Sequence, residues 1–189
     1  MFPLGTVLLP GQRLPLQVFE PRYLALLDAC LNHADEPEFG IVLIARGHEV
    51  GGGDMRTDVG TIARIVGGGR IDERRYGVVV AGTERFKVER WLDDDPYPRA
   101  EITPWPDAPG EPGAAIVARV GAGVARLREL LDVEPAELPA DSFALAAALP
   151  LPSSDSQRVL AAPGPAERMS VIAEALDDVV AALRFRLGG

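Results

Sequence analysis

Residues 104–113 read Pro104-Trp105-Pro106-Asp107-Ala108-Pro109-Gly110-Glu111-Pro112-Gly113. Four prolines and two glycines in ten positions exclude a helix interior and a central strand, since proline lacks the amide hydrogen that both ladders use. The stretch is a connection, and the hydrophobic pattern changes across it. Upstream, apolar residues recur with period two and are rich in Val, Ile, Thr and Phe. Downstream, Ala, Leu, Arg and Glu recur at helical spacing. The expected organisation is a β-rich unit over 1–105, a Pro/Gly-rich linker over 106–113 and a helical bundle over 114–189.

Upstream, Leu14, Leu16 and Val18 alternate with Pro15, Gln17 and Phe19, a strand with one buried face and an edge or bulge at the proline. Glu20-Pro21-Arg22-Tyr23 then opens a helix to about Asn32, because proline fits a first turn whose amide would have no intrahelical acceptor. Tyr23, Leu24, Leu27, Cys30 and Leu31 form its expected apolar stripe. Phe39–Ala45 reads as a strand buried on both faces. Gly60–Val66 and Tyr76–Gly82 flank Gly67-Gly68-Gly69-Arg70-Ile71-Asp72-Glu73 and read as strands joined through a turn there, and Arg85–Trp91 and Arg99–Trp105 complete the set. About six strands with one inserted helix predict a closed or half-closed barrel, so the fold class is α+β.

Downstream, Ile116, Val120, Val124, Leu127 and Leu131 share a helical face. Ser142–Leu149 is a short Ala-rich helix, and Ser154-x-x-Gln157 has the spacing of a capping box for a helix ending near Ala162. Met169, Ile172, Leu176, Val179, Leu183 and Leu187 mark a long amphipathic helix. Four helices with separate apolar faces predict a small bundle.

Composition narrows the chemistry. The 189 residues carry 19 Lys plus Arg against 28 Asp plus Glu, a formal charge of −9. Nucleic-acid binding by counterion release therefore disagrees with the overall charge, leaving a cluster such as Arg70, Arg74 and Arg75 as its only foothold. Lys87 is the sole lysine, so there is no Gly-Lys-Ser/Thr phosphate loop. A Ser-Lys dyad or a Schiff-base enzyme would need Lys87 desolvated, yet alternation sets it opposite Phe86 and Val88. No run of 18 apolar residues occurs, and the apolar start lacks a basic leader and is broken by Pro3 and Pro10, so the expected setting is the cytoplasm without a membrane anchor.

Candidate sites are few. Cys30 and His33 stand three apart on the expected helix, where an imidazolium would lower the thiol pKa; surrounded by Leu26, Leu27 and Leu31, Cys30 reads instead as a small core residue. One Cys with His33 and His48 does not make the usual zinc ligand set. Gly51-Gly52-Gly53 and Gly67-Gly68-Gly69 precede no convincing helix N-terminus and read as turns or connections, not phosphate cradles. Asp93-Asp94-Asp95 lacks the alternate spacing of a calcium loop and reads as a solvated strand end. No catalytic, metal or cofactor site is expected. Trp91, Tyr97 and Trp105, at strand ends or beside the linker, are the candidate peptide- or partner-binding residues, with Trp105 expected where barrel and bundle meet.

Phe2-Pro3-Leu4-Gly5-Thr6-Val7-Leu8-Leu9-Pro10-Gly11 and Leu14-Pro15-Leu16-Gln17-Val18-Phe19-Glu20-Pro21-Arg22-Tyr23, followed by Phe39–Leu43, Gly60–Ile65, Gly82–Val88 and Tyr97–Ile102, resemble the amino-terminal substrate-binding domain of the Lon protease family. Leu149-Pro150-Leu151 and the helix around Glu167-Arg168-Met169 extend the resemblance downstream. It implies a PUA-like pseudo β-barrel followed by a C-terminal helical bundle, engaging unfolded or degron-bearing proteins. The family's ATPase and Ser-Lys protease domains have no counterpart in this sequence, so the expectation is a stand-alone, non-enzymatic module binding protein or peptide segments, with an adaptor role. The alternative is a small-molecule or effector-binding domain. Arg22 is expected to hold the strand-to-helix corner by bonding nearby backbone or a carboxylate.

Overall fold

The computed structural model describes residues 1–33, 36–46, 55–72 and 74–187, with the backbone alone for His33 and Arg46. The chain divides into two units, Met1–Pro106 and Asp107–Gly189. The first contains β1 (Phe2–Leu4), β2 (Arg13–Val18), α1 (Pro21–His33), β3 (Glu38–Arg46), β4 (Met55–Asp72), β5 (Arg75–Leu92) and β6 (Arg99–Pro104). The second contains α2 (Ala114–Leu131), α3 (Ser142–Ala147), α4 (Ser153–Leu160) and α5 (Pro165–Leu187).

Six strands form one sheet in the order β1-β3-β4-β5-β2, with β6 also on β5. β1 runs parallel to β3 and every other pairing is antiparallel. The long β5 has β4 along one edge and shares the other between β2, at Tyr76–Ala81, and β6, at Phe86–Leu92. Between them, Gly11 N–H donates to the Gly82 carbonyl and Gly82 N–H to the Gln12 carbonyl, each at 2.9 Å, so the edge stays satisfied.

The architecture is mixed α+β, as expected, but the sheet is not closed. β1 and β2 stand at its two ends, and each carries a proline, Pro3 and Pro15, which removes a ladder donor and blunts the edge. The turn expected from Gly67 onward is shorter than that: the glycine triplet lies inside β4, and the chain reverses only at the far end of the expected segment, between Asp72 and Arg75. The separate strands expected at Tyr76–Gly82 and Arg85–Trp91 are one strand. Gly51-Gly52-Gly53 and His48 lie outside the described residues.

α1 covers the sheet with Tyr23, Leu26 and Leu27, which join Phe2, Leu8, Val18, Ile41 and Val80 in the core. Phe2 and Tyr23 stack with ring centroids 4.2 Å apart. The helix is turned slightly from its expected stripe: Leu26 is buried and Leu31 exposed. Arg22 Nε donates to Glu20 Oε2 at 3.1 Å, pinning the corner as expected. Thr61 Oγ1 donates to the Leu8 carbonyl at 2.6 Å, tying the amino-terminal segment to β4.

In the second unit, Val120, Gly123, Val124 and Leu127 of α2 and Ile172, Leu176 and Val180 of α5 are buried. A Cβ at Gly123 would stand 3.4 Å from the Leu176 side chain, so the two helices approach closely there. Leu131 and Leu187, expected on apolar faces, are exposed. α3 is capped by Asp141, whose side chain accepts from Ala144 N–H at 2.8 Å. The Ser154 capping box does not form: α4 starts at Ser153, with Pro152 at the N-cap and no side-chain cap bond.

Candidate functional site

The unclosed seam between β1 and β2 is a groove of about 190 Å³. Phe2 and Leu4 line one side, Leu16 and Val18 the other, with Tyr23 and Phe19 beside them. Phe19 is 53% exposed, although it follows a buried Val18. Its outward position follows from strand alternation, because Val18 takes the core-facing place. The groove can hold an apolar side chain. With Pro3 and Pro15 on its two edges, it offers fewer main-chain donors than an open strand edge usually does.

The three aromatic candidates do not form one site. Trp91 pairs with Ala100 across β5 and β6, whereas Trp105 follows Pro104, the partner of Phe86. Five residues of strand separate the two places, about 17 Å. Trp91 Nε1 donates to Asp58 Oδ1 at 3.2 Å, and the Arg56 guanidinium lies 4.9 Å from its ring centroid. Arg56 also pairs through both terminal nitrogens with Asp94, at 3.2 and 3.0 Å, so the Asp93–Asp95 run serves a surface ion pair. Met55, 61% exposed, completes a depression of about 320 Å³ with Arg56, Asp58 and Trp91. Tyr97 is half-buried and packs against the core of the first unit.

Trp105 is held by its own chain. Its N–H donates to the Arg85 carbonyl and Arg85 Nε donates back to the Trp105 carbonyl, each at 2.9 Å. The Arg85 guanidinium stands 4.2 Å from the ring centroid and the Lys87 ammonium 3.9 Å. Such cation–π contacts are worth about 0.5–2 kcal/mol each, more where the cation is buried. Arg85 is buried and Lys87 exposed, so the sole lysine lies over an aromatic face at the surface rather than in a desolvated pocket. Alternation had set Lys87 outward; its aromatic partner depends on which strand lies next to β5.

Cys30 offers little reactivity. Its Sγ donates to the Glu38 carbonyl at 3.3 Å, and burial pushes the thiol pKa up, away from the thiolate. Among the described residues, no group of three or more His, Cys, Asp or Glu could hold a metal ion. No helix among them is long and apolar enough to cross a membrane.

In the helical unit, sequence reasoning missed Arg168. Only 1% of its side chain is exposed, its Nη2 donates to Asp107 Oδ1 at 2.6 Å, and its guanidinium lies 3.4 Å from the Phe143 ring centroid. Burial lowers its pKa while Asp107 opposes the shift. Charged residues are rarely so buried unless paired, and Arg168 had signalled only its place in a helix.

The family described as the ATP-dependent protease La (LON) substrate-binding domain matches residues 1–178. The chain belongs to the LON substrate-binding-domain family. It is 30% identical over 190 residues to Lon protease 2 of Myxococcus xanthus, covering 92% of this chain and 22% of that protein. A Lon protease of Anaeromyxobacter dehalogenans (strain 2CP-C) is 37% identical over 100 residues, covering 52% of this chain and 12% of that protein. The chain thus spans less than a quarter of these curated relatives. The crystal structure of a Lon N-terminal domain protein from Xanthomonas campestris superposes with a TM-score of 0.67 at 29% identity, over 89% of this chain and 92% of that one. The N-terminal domain of a Mycobacterium avium complex Lon protease gives 0.65 at 22% identity, over 93% and 97%, a likeness of fold. Within this LON-domain fold, the seam groove and the Trp91 depression lie in the first unit, and the buried Arg168 in the second.

Proposed function

We propose that the chain is a non-enzymatic binding module that holds unfolded or peptide segments of other proteins and serves as an adaptor for them. Membership of the LON substrate-binding-domain family carries this reading. In it, the sheet is a PUA-like pseudo-barrel whose open seam receives an apolar side chain, with Phe19 as the exposed lip. Trp91, beside the exposed Met55, supplies a second aromatic contact, while Tyr97 and Trp105 shape the fold around it. The partners are polypeptides rather than nucleic acid or membrane, the setting is the cytoplasm, and no cofactor is required. With Lys87 as the only lysine, neither ATP hydrolysis nor casein cleavage is expected of these residues.

A second reading, a small-molecule or effector site, draws on a cavity beside α2 of about 540 Å³, within the size range of ligand pockets. The two readings separate by titrating fluorescently labelled, reduced and carboxymethylated α-lactalbumin with the wild-type chain, Phe19→Ala and Trp91→Ala. Each truncation should weaken capture by about 1 kcal/mol or more, as loss of an aromatic anchor commonly does. Because Phe19 is exposed, its variant should keep the wild-type melting temperature. Absence of capture by the wild type, or equal capture by all three proteins, would sink the polypeptide reading at these residues.

A further inference from the structure

The helical unit contains a separate cavity of about 380 Å³, walled on its apolar side by Val117, Val120, Leu145 and Met169. Asp107, Glu111 and Asp141 also line it, and no Lys, Arg or His does. The Asp107 charge is answered from behind by Arg168 at 2.6 Å. Glu111 and Asp141 make no ion pair among the described residues. Asp141 Oδ1 accepts the Ala144 N–H as the cap of α3, which orients the carboxylate. The cavity therefore joins apolar walls to three carboxylates against the single Arg168 charge behind them, which acts on Asp141 as well as Asp107 and leaves Glu111 without a cation, in a chain whose formal charge is −9.

We propose that this cavity takes the basic side chain of an apolar polypeptide segment. Arginine and lysine combine the two features it needs, an apolar stem and a cationic head. The stem and a neighbouring apolar residue lie against Val117, Val120, Leu145 and Met169, while the head meets Glu111 and Asp141 in charge-assisted hydrogen bonds. Acidic segments are rejected, because a carboxylate there would face like charges. This rests on the reading that the chain holds polypeptides, but uses a site apart from the seam groove.

The test uses the full chain and three labelled twelve-residue peptides rich in Leu and Ala, identical except for a central Arg, its neutral isostere citrulline, or Glu. Fluorescence anisotropy should rank Arg tightest, at least about fivefold over citrulline, with Glu weakest, and the Arg advantage should shrink as salt rises. A Glu111→Gln/Asp141→Asn double variant should bring the Arg peptide to the citrulline affinity while leaving the citrulline peptide unchanged. Asparagine preserves the cap acceptor, so the helical circular dichroism and melting temperature should hold. Val117→Trp, filling the exposed mouth, should weaken both peptides. An Arg preference undiminished in the double variant, or no preference in the wild type, overturns the inference while Phe19-dependent capture keeps the broader reading. Absence of binding to all three peptides and to α-lactalbumin overturns both. Displacement of the peptide by equimolar n-butylguanidinium would assign the cavity to a small cation and overturn the polypeptide occupant.

Discussion

At Gly60 the sheet leaves no space for a side chain. A Cβ there would run into the Ile41 carbonyl oxygen, with the Phe86 ring tip at 2.6 Å and a Val42 methyl at 2.8 Å. The carbonyl belongs to the neighbouring β3 and cannot yield without breaking register. Gly60→Ala should therefore destabilise the first unit by about 2–3 kcal/mol, the upper range for overpacking a core, read as a lowered urea midpoint with an unchanged slope. At Gly69 a Cβ meets nothing within 4 Å, so Gly69→Ala is the matched control. Some residue roles could be read from the sequence. Cys30 among leucines reads as a packed thiol, and burial indeed raises its pKa. Trp105 shows the limit: alternation puts Arg85 and Lys87 on one face of a strand, but their contact with Trp105 depends on strand neighbours far along the chain. Likewise, nothing local distinguishes Arg168, buried to 1% exposure, from the exposed arginines of the same helix.

Among the elements, α2 ends at Asp132 in the left-handed conformation, φ 53°, where its N–H bonds back to the Arg128 and Glu129 carbonyls. A residue bearing a Cβ is strained there and glycine is not. Asp132→Gly should stabilise the helical unit by about 0.5–1 kcal/mol, seen as a raised melting temperature. Losing a carboxylate beside the negative end of the helix adds to the same sign. Helix α1 was legible to within a residue, Pro21–His33 against an expected end near Asn32, because proline at the first turn and the leucine spacing are local signals. The glycine triplet was misread because β4 and β5 form one long hairpin. Register shifts at Ile65/Gly67 and Arg70/Asp72 let the strand carry three glycines that would otherwise end it. The Ser154 box failed by two residues: spacing alone cannot show that Pro152 takes the N-cap and Ser153 starts the helix first.

Across the whole molecule, β1 and β2 end the sheet without joining, and a seam of this kind depends on twist and on edge prolines that no hydrophobic pattern reports. The first unit is also tied at its start, where the Met1 ammonium donates to the Pro98 carbonyl at 2.7 Å. Burial is the largest cause of its lowered pKa, from 8.0 to about 6. The unfolded chain therefore binds a proton that the folded chain refuses between about pH 8 and pH 6. This amine leaves stability intact above pH 8 and reduces it as pH falls to 6, by about 2–3 kcal/mol in all. Melting temperatures of the chain beginning at Met1 should drop over that interval, and acetylating its amine should flatten the drop; an equal drop after acetylation would refute the assignment. The same long-range ties govern the order of assembly. β1 waits for Ile41–Leu43, β2 for Tyr76–Ala81, and the Met1 amine for Pro98. As the chain leaves the ribosome, the apolar residues 2–9 stay exposed at least until Ile41–Leu43 have been made, because such distant contacts form late. Until then, this apolar stretch is itself an unfolded segment of the kind we propose the finished fold to hold.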